Sequence, residues 1–314
     1  MRKILITGGA GFVGSCLAEK LILDPENYVV IVDNLSTGEL AKLPDSTKTN
    51  WRFIKCDVND YRDIAAIMLS SSFDYVFHYA AVVGVHRTQM NPVKVLSDIH
   101  GISNILNLSK NSSVKRVYFS SSSEVYGEPV ELPQNELTTP LNSRFPYAVV
   151  KNVGEAYLKS YNKEFGLDYT IFRFFNTYGP KQSRDFVMSK FIALALKNQN
   201  INIYGDGLQS RTFCYIDDNV DACYNNFMIS QKEKKPMNDI INIGSDIEIT
   251  ILDLAKKIIE LTASKSKIIH KPPLQEGDMQ RRLPDITKMR QLLNRDLLPL
   301  EQGIKKILGN QQYL

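Results

Sequence analysis

The chain has 314 residues, of which 43% are hydrophobic, and its 38 Lys and Arg against 34 Asp and Glu give a formal net charge of +4. This composition excludes disordered, collagen-like and mucin-like chains, which need fewer apolar residues or far more Gly and Pro. The length fits one large domain or two modest ones. The densest basic patch, Lys232–Lys235, is short and lacks interleaved aromatic residues, so no nucleic-acid partner is expected.

The cysteines and the N-terminal segment bear on compartment. Cys16, Cys56, Cys214 and Cys223 show no CxxC spacing, so we interpret them as reduced core thiols and expect no metal site. The first apolar run ends at Gly8 after four residues, which is too short for a signal peptide. No segment approaches the ~20 uninterrupted apolar residues of a membrane span. These features predict a cytoplasmic protein without membrane contact.

Strand-like and helix-like segments alternate through the first half of the chain. The predicted strands are Ile4–Thr7, Tyr28–Val32, Trp51–Lys55, Tyr75–His78, Val117–Ser120 and Tyr169–Phe174. The predicted helices are Ser15–Leu23, Tyr61–Leu69, Pro92–Leu108 and Tyr147–Phe165. Strands separated by helices require crossover connections, which produce a parallel sheet with helices on both faces. The sequence therefore predicts an α/β fold with a doubly wound parallel sheet.

The regular alternation of predicted strands and helices ends after Pro180. A helix at Met188–Lys197 and a strand at Ile201–Tyr204 are followed by the turn Gly205–Gly207 and by mixed short elements. We therefore predict a first domain over residues 1–179, with part of 212–245 packed on it, and a smaller second domain over 180–314.

A glycine-rich loop lies between the first predicted strand and helix. Gly8, Gly11 and Gly14 supply the tight turn and the close backbone approach that a pyrophosphate needs, and the helix N-terminus at Phe12 and Val13 offers free N–H groups. The loop stands in the strand, turn and helix context that this dinucleotide-binding motif requires.

Asp33 decides between the two nicotinamide cofactors. It closes the second strand, 19 residues after Gly14, where a carboxylate accepts hydrogen bonds from a ribose 2′-OH and repels a 2′-phosphate. The prediction is therefore NAD. Asp57 ends the third strand and could reach the adenine edge or simply cap that strand. Neighbouring strand ends add further predicted cofactor contacts at Asn34, Val58, Ala80 and Ala81.

A tyrosine and a lysine share one face of the long predicted helix. Tyr147 and Lys151 stand at positions i and i+4. A tyrosine is a weak base at neutral pH, but a nearby ammonium and an oxidised nicotinamide ring both favour its phenolate. Tyr147 could then take a proton from a substrate hydroxyl while hydride leaves the same carbon. The Ser120–Ser123 run upstream could bring a further hydroxyl to the same oxygen.

At this point the sequence resembles the extended short-chain dehydrogenase/reductase family, and within it the NAD-dependent nucleotide-sugar epimerases and dehydratases. The segments that carry the resemblance are TGGAGFVG at residues 7–14, Asp33, Asp57, HYAA at 78–81, SSSSEVYG at 120–127, YAVVK at 147–151, FNTYGP at 175–180, GDG at 205–207 and RTFCYID at 211–217. The resemblance implies a Rossmann-type fold, a catalytic Ser122, and a homodimer built on helices near 92–110 and 147–165. It also implies that Asn176, Arg211 and Arg281 contact the diphosphate of a UDP-, GDP- or TDP-linked sugar.

Departures from the family pattern bear on the reaction. Dehydratases of the family carry an Asp-Glu pair where this chain has Ser123 and Glu124, so the proton donor for dehydration is missing. Glu124 is a candidate catalytic base or sugar ligand, with a buried structural role as the alternative. Asp98 stands where the family usually has Asn. Arg87 lies where substrate contacts are expected, although a surface loop is an equal interpretation.

These features favour NAD-dependent oxidation at C4 of a nucleotide-activated sugar in cell-surface polysaccharide synthesis, completed as an epimerisation. One alternative is a net 4-dehydrogenase that releases a 4-keto sugar, for example from a GDP-heptose. A UDP-glucuronate decarboxylase is the next alternative, because Ser123 and Glu124 are similar to the pair in those enzymes. A non-catalytic NAD-binding protein is the alternative of another class, and the intact Tyr147, Lys151 and Ser122 argue against it.

Overall fold

A computed structural model describes residues 1–232, 238–273 and 281–310. The basic patch noted above, apart from Lys232, and residues 274–280 before Arg281 lie outside the described residues. None of the helices within the described ranges combines the length and the apolar character needed to cross a bilayer.

The described residues form the following helices and strands. The helices are α1 (Phe12–Leu21), α2 (Tyr61–Ser71), α3 (Val85–Met90), α4 (Pro92–Leu96), α5 (Asp98–Lys110), α6 (Pro146–Phe165), α7 (Val187–Leu196), α8 (Ile216–Lys232), α9 (Ile251–Leu261), α10 (Thr287–Leu293) and α11 (Leu300–Leu308). The strands are β1 (Arg2–Thr7), β2 (Asn27–Asp33), β3 (Trp51–Lys55), β4 (Tyr75–His78), β5 (Arg116–Ser122), β6 (Asp168–Phe174), β7 (Thr177–Tyr178), β8 (Ile201–Tyr204), β9 (Ser210–Thr212), β10 (Cys214–Tyr215), β11 (Asp239–Ile243), β12 (Glu248–Thr250) and β13 (Ile268–Lys271). Short 3-10 turns lie at Leu40–Lys42 and Ser123–Tyr126.

A seven-stranded sheet forms the centre of the fold, with the strand order β11-β6-β5-β4-β1-β2-β3. Strand β1 pairs in parallel with β2 on one side and with β4 on the other, so that Leu5 lies opposite both Val30 and Val76. The chain therefore moves outward in one direction from β1 to β3 and then returns to the other side of β1 at β4. The predicted doubly wound parallel sheet is confirmed, and its switch point lies between β1 and β4.

The core of this sheet is apolar on both faces, which explains the continuous hydrophobic runs in its strands. Helices α2, α5 and α6 contribute Ile64, Ile105 and Leu158 to one buried cluster with the strands. Helix α6 approaches β5 closely at Gly154, where an added Cβ would lie 2.4 Å from the ring of Phe119. This close approach fixes the distance between the helix that carries Tyr147 and the strand that carries the serine run.

The helix predicted over Pro92–Leu108 is interrupted at Ser97. The Ser97 N–H still bonds to the Val93 carbonyl, but the His100 N–H bonds to Ser97, only three residues back. This tight turn separates α4 from α5. Helix α3 is absent from the predicted elements, because its six residues are too few to show a helical apolar period.

The chain folds into two compact units. The first contains residues 1–125, 143–173 and 220–241, and the second contains 126–142, 174–219 and 242–314. The first unit holds β1 to β5 with helices α1 to α6. The second holds the short two-stranded sheets β7 with β10, β8 with β13 and β9 with β12.

Candidate active site

Polar side chains stand at the carboxyl ends of the central strands. Thr7 ends β1, Asp33 ends β2, His78 ends β4 and Ser122 ends β5. The carboxyl ends of parallel strands lie at one edge of a sheet, and ligands of open α/β sheets bind there at the switch point. The first unit therefore has a candidate site at this edge.

The glycine loop after β1 allows backbone to approach backbone. Gly8 has a φ of +68°, and a Cβ added to it would lie 2.6 Å from the Ala80 nitrogen. A Cβ on Gly14 would lie 2.6 Å from the Gly8 carbonyl oxygen. No side chain caps helix α1 at Gly11, so the first N–H groups of the helix, starting at Phe12 and Val13, have no partner within the helix. The loop thus fits the anion cradle expected for a pyrophosphate.

Asp33 is a buried carboxylate held by two backbone N–H groups. Its Oδ1 accepts from Leu35 at 2.8 Å and its Oδ2 accepts from Ala10 at 3.1 Å. Burial raises the pKa of Asp33, and these two donors oppose that shift. Gly38 lies directly against the carboxylate, since an added Cβ would be 2.7 Å from Oδ1. The carboxylate is therefore fixed in place at the end of β2.

Asp57 does more than cap its own strand. Its Oδ1 accepts from the backbone N–H of Asn59 at 2.9 Å, and its Oδ2 accepts from the Asn34 amide at 3.1 Å. The Val58 carbonyl accepts from the side chain of Asn104 at 2.9 Å. The predicted contacts Asn34, Asp57 and Val58 therefore lie in one neighbourhood beyond β2 and β3.

The amine of Lys151 is buried in the first unit. Its Nζ donates to the Ser120 Oγ at 3.2 Å and lies 5.8 Å from the centre of the Tyr147 ring. Burial lowers the pKa of Lys151 to about 8, and the charge of Asp98 acts in the opposite direction. Asp98 is itself buried, and its Oδ2 accepts from the Val82 N–H at 2.7 Å. The site thus contains the predicted pair of Tyr147 and Lys151, the Ser120 hydroxyl that contacts Lys151, and Asp98 as a buried counter-charge.

His78 and Thr7 complete the site, and sequence reasoning did not single out either side chain. The Thr7 Oγ1 accepts from the N–H groups of Tyr79 and Ala80 at 3.1 and 3.2 Å, so its proton is directed to the His78 Nδ1 at 2.8 Å. Burial lowers the pKa of His78 to about 3, and Lys151 adds to that effect. His78 is therefore neutral and carries its proton on Nε2. The sequence feature that could have identified Thr7 and His78 is that each is the polar residue at the end of an apolar strand.

The serine run divides into different roles. Ser121 donates to the Glu155 carboxylate at 2.6 Å, and Glu155 forms a buried ion pair with Arg173 at 2.7 Å. The Ser122 Oγ accepts from the Glu124 N–H at 3.2 Å. Ser121 thus belongs to a structural network, whereas Ser120 contacts Lys151 and Ser122 stands at the start of the turn that carries Glu124.

The remaining candidates of the first unit are Ala80, Ala81 and Arg87. Ala80 donates its N–H to Thr7, and both alanines are partly buried. Arg87 lies on the short helix α3 and not in the surface loop that the sequence left as the alternative, and its Nη1 donates to the Val83 carbonyl at 3.1 Å. Its role in substrate binding stays a prediction.

Asn176, Arg211 and Arg281 lie in the second unit and are all linked to the β9–β12 ribbon. Arg211 is part of β9, and the Asn176 amide donates to the Thr212 carbonyl at 3.2 Å. The Arg281 Nε donates to the Glu248 Oε1 on β12 at 2.8 Å. The sequence did not predict Glu248, because its local pattern does not indicate that it pairs with Arg281, 33 residues away.

Residues 4–244 match the model of the NAD dependent epimerase/dehydratase family. The chain belongs to this family. A family member from Methanocaldococcus jannaschii, described as a putative UDP-glucose 4-epimerase, is 36% identical over 313 residues, which cover 98% of this chain and 97% of that protein. A UDP-N-acetyl-alpha-D-glucosaminuronate decarboxylase of Bacillus cytotoxicus is 34% identical over 322 residues, with 98% and 97% covered.

The fold of this epimerase/dehydratase family member also matches solved structures. The crystal structure of the Thermotoga maritima UDP-glucose 4-epimerase with UDP-glucose superimposes with a TM-score of 0.89 and 32% identity, covering 98% of this chain and 97% of that one. The prediction of an NAD-dependent nucleotide-sugar enzyme of the extended short-chain dehydrogenase/reductase family is confirmed, as is its NAD cofactor. The glycine cradle and the fixed Asp33 carboxylate fit that cofactor.

Proposed function

We propose that this family member oxidises C4 of a nucleotide-activated sugar and then reduces it from the other face, which is a 4-epimerisation. The observation that carries the proposal is the buried Lys151 amine beside the Tyr147 ring and the Ser120 hydroxyl. Burying an amine costs free energy and gives no packing advantage over an apolar side chain. Buried groups with shifted pKa values of this kind are typical of catalytic sites. We place the reaction in cell-surface polysaccharide synthesis.

The residues proposed to hold NAD are Gly8, Gly11, Phe12, Val13, Asp33, Asn34, Asp57, Val58, Ala80, Ala81, Tyr147 and Lys151. The loop N–H groups would hold the pyrophosphate and Asp33 would accept the adenosine ribose hydroxyls. When bound, the cofactor supplies an acceptor for the hydride of the sugar carbon and later returns it.

Tyr147 is the proposed base. Its phenolic oxygen takes the proton of the sugar 4-hydroxyl, and the Lys151 ammonium favours the phenolate by its charge. The Ser122 hydroxyl would hydrogen-bond the same sugar oxygen. Glu124 belongs to the turn after β5 and is proposed as a ligand of a sugar hydroxyl, and Arg87 as a further substrate contact.

The second unit supplies the proposed diphosphate contacts, Asn176, Arg211 and Arg281. A guanidinium suits this role because it stays charged and donates in a planar fork that matches phosphate oxygens. The relatives named above carry UDP-linked sugars in their descriptions, which supports UDP over GDP or TDP as the carrier.

A decarboxylase of a UDP-linked uronic acid is the second candidate. It is favoured by Ser123 and Glu124, which are similar to the pair in those enzymes, and by relatives such as a UDP-glucuronic acid decarboxylase of Danio rerio, 35% identical over 98% of this chain. Epimerisation ranks first because the YAVVK helix is more similar to epimerases. Ser123, in place of an acid, argues against dehydration.

Mass spectrometry of the products distinguishes these reactions. The protein is incubated with NAD and a panel of UDP-, GDP- and TDP-sugars that includes heptoses and uronic acids. Epimerisation is expected to give a new chromatographic peak of unchanged mass. A product that has lost carbon dioxide would show that the protein is a decarboxylase instead, and a product that has lost water would show a dehydratase. A product that has lost two hydrogens, together with accumulation of NADH, would show a net 4-dehydrogenase.

Replacing Gly38 with Ala is expected to weaken NAD binding about tenfold. The added methyl group must displace the Asp33 carboxylate, which two N–H groups hold in place, and such overpacking typically costs about 1–3 kcal/mol. NAD affinity is measured by calorimetry. Gly309→Ala is the matched control, because its nearest atoms are 3.6 Å away. Unchanged affinity in Gly38→Ala would contradict the role assigned to Asp33.

The dependence of kcat/KM on pH is expected to follow the protonation of Lys151. Its ammonium is populated below its pKa of about 8 and is lost above it, so kcat/KM should fall on the alkaline side of that pH. Asp98→Asn keeps an oxygen for the Val82 N–H but removes the charge that raises the pKa of Lys151, so the fall should move to lower pH. Glu136→Gln, a carboxyl of equal burial whose charge does not act on Lys151, should leave the profile in place. A profile unmoved by Asp98→Asn would contradict this coupling.

Self-association through the helices near 92–110 and 147–165 remains a prediction. Val93 and Leu96 on α4 and Phe165 on α6 expose 79%, 41% and 50% of their surface, which favours an apolar contact with a second copy. Light scattering is expected to give the mass of a dimer, and a monomer mass would contradict the prediction.

A further inference from the structure

The guanidinium of Arg281 is held by a carboxylate of its own unit. Its Nε donates to the Glu248 Oε1 at 2.8 Å, and its Nη2 donates to the Oε2 at 2.5 Å. Guanidinium groups form the same bidentate arrangement with phosphate oxygens. Arg281 is half-exposed, so the pair lies within reach of a ligand from solution.

Glu248 is the fixed partner of this pair. It lies on β12, which runs antiparallel to β9 with Glu248 opposite Thr212 and Thr250 opposite Ser210. The Ser210 hydroxyl donates to the Glu248 Oε1 at 2.7 Å. The hydrogen bonds from Arg281 lower the pKa of Glu248, so the carboxylate stays ionised at neutral pH. The ribbon and Ser210 hold the carboxylate in place, whereas Arg281 is a long side chain that can swing away.

The other proposed diphosphate contacts lie on this ribbon or contact its backbone. Arg211 is a residue of β9, and Asn176 donates to the carbonyl of Thr212, the residue opposite Glu248. Arg211 lies opposite Ile249, so its side chain leaves the ribbon on the face away from Glu248 and Ser210. A diphosphate that binds Arg281 would still bring its negative charge close to the Glu248 carboxylate, because that carboxylate contacts the same guanidinium. Two anions would then compete for one guanidinium.

We propose that Glu248 is an internal competitor for the substrate diphosphate, which occupies Arg281 in the free protein and releases it when the ligand binds. Glu248 thereby lowers the affinity of the diphosphate site. The inference deepens the proposed function and rests on the assignment of Arg281 to the diphosphate.

Calorimetric titration of the full-length, NAD-loaded protein with UDP, GDP and dTDP tests the proposal. Glu248→Gln should bind the best of these ligands about three- to tenfold more tightly, because the ion pair that competes for Arg281 and the repulsion between the carboxylate and the diphosphate are both removed. Affinity for the matching nucleoside should not change.

Asp246→Asn is the matched control. It removes one negative charge two positions from Glu248, in a pair that Asp246 forms with Arg290 at 2.8 and 3.0 Å, and should leave diphosphate affinity unchanged. Arg281→Ala should weaken diphosphate binding at least about tenfold, and adding Glu248→Gln to it should restore little.

The outcomes separate the two levels of the inference. Weakened binding in Arg281→Ala together with unchanged or weaker binding in Glu248→Gln would overturn the internal competitor and leave the diphosphate role of Arg281 intact. Equal tightening in Asp246→Asn would also overturn it, because general charge would then explain the gain. Unchanged binding in Arg281→Ala would overturn the diphosphate contact itself.

Discussion

Replacing Tyr147 with Phe is expected to lower kcat by about two to four orders of magnitude while NAD remains bound. The substitution removes one hydroxyl, the atom proposed to accept the proton of the sugar 4-hydroxyl, and a positioned proton acceptor typically contributes a factor of this size. The ring and its packing near Lys151 are retained. Turnover is followed by product chromatography, and NAD binding by calorimetry.

A second tyrosine on the same helix provides the control for this variant. The Tyr161 hydroxyl donates to the Asn107 side chain at 2.8 Å, away from the strand ends. Tyr161→Phe loses one hydrogen bond, which costs about 1 kcal/mol of stability, and should leave turnover unchanged. Full activity in Tyr147→Phe would exclude it as the base and would direct attention to Glu124.

Replacing Lys151 with Met is expected to lower kcat by a similar factor without destabilising the protein. The variant removes the charge that favours the Tyr147 phenolate. It also replaces a buried amine, whose pKa burial has already lowered to about 8, with an apolar chain of similar length. Ser120 keeps its bond to the His78 carbonyl at 3.3 Å, and the Met sulfur can contact the Phe119 ring.

Activity and thermal unfolding together test this expectation. The midpoint of unfolding should change little, because the relief from burying an ammonium is offset by the loss of the charge that lowers the pKa of the buried Asp98. Lys159→Met, on the same helix but exposed and paired with Glu155 at 3.9 Å, should change neither activity nor stability by much. A loss of activity that only accompanies unfolding would indicate a structural role for Lys151.

The agreement between predicted and observed strands has a simple physical basis. Tyr75–His78 is buried along its whole length and carries a compact apolar run, so it could be located to the residue. Ile201–Tyr204 could be located by its alternation of buried and exposed residues, and the partly buried Trp51–Lys55 by its β-favouring residues. The interruption of the predicted helix at Ser97 could not, because it depends on a single bond from His100 to Ser97 rather than on residue type.

The candidate site shows the same division. Gly8, Asp33, Tyr147 and Lys151 could be predicted because each obeys a local spacing rule tied to one element. The bond from Thr7 to His78 joins residues 71 positions apart, and it exists because β1 and β4 are neighbours in the sheet. Which serine of the run meets Lys151 likewise depends on how closely Gly154 lets α6 approach β5.

The sequence by itself determined the doubly wound fold, the NAD loop and the pair of Tyr147 and Lys151, because hydrophobic period and motif spacing act within single elements. Only the tertiary structure decided that Lys151 is buried beside Ser120, that Asp98 is its counter-charge and that Glu248 holds Arg281. The physical reason is that burial and ion pairing depend on which distant segments pack together. No local pattern encodes that choice.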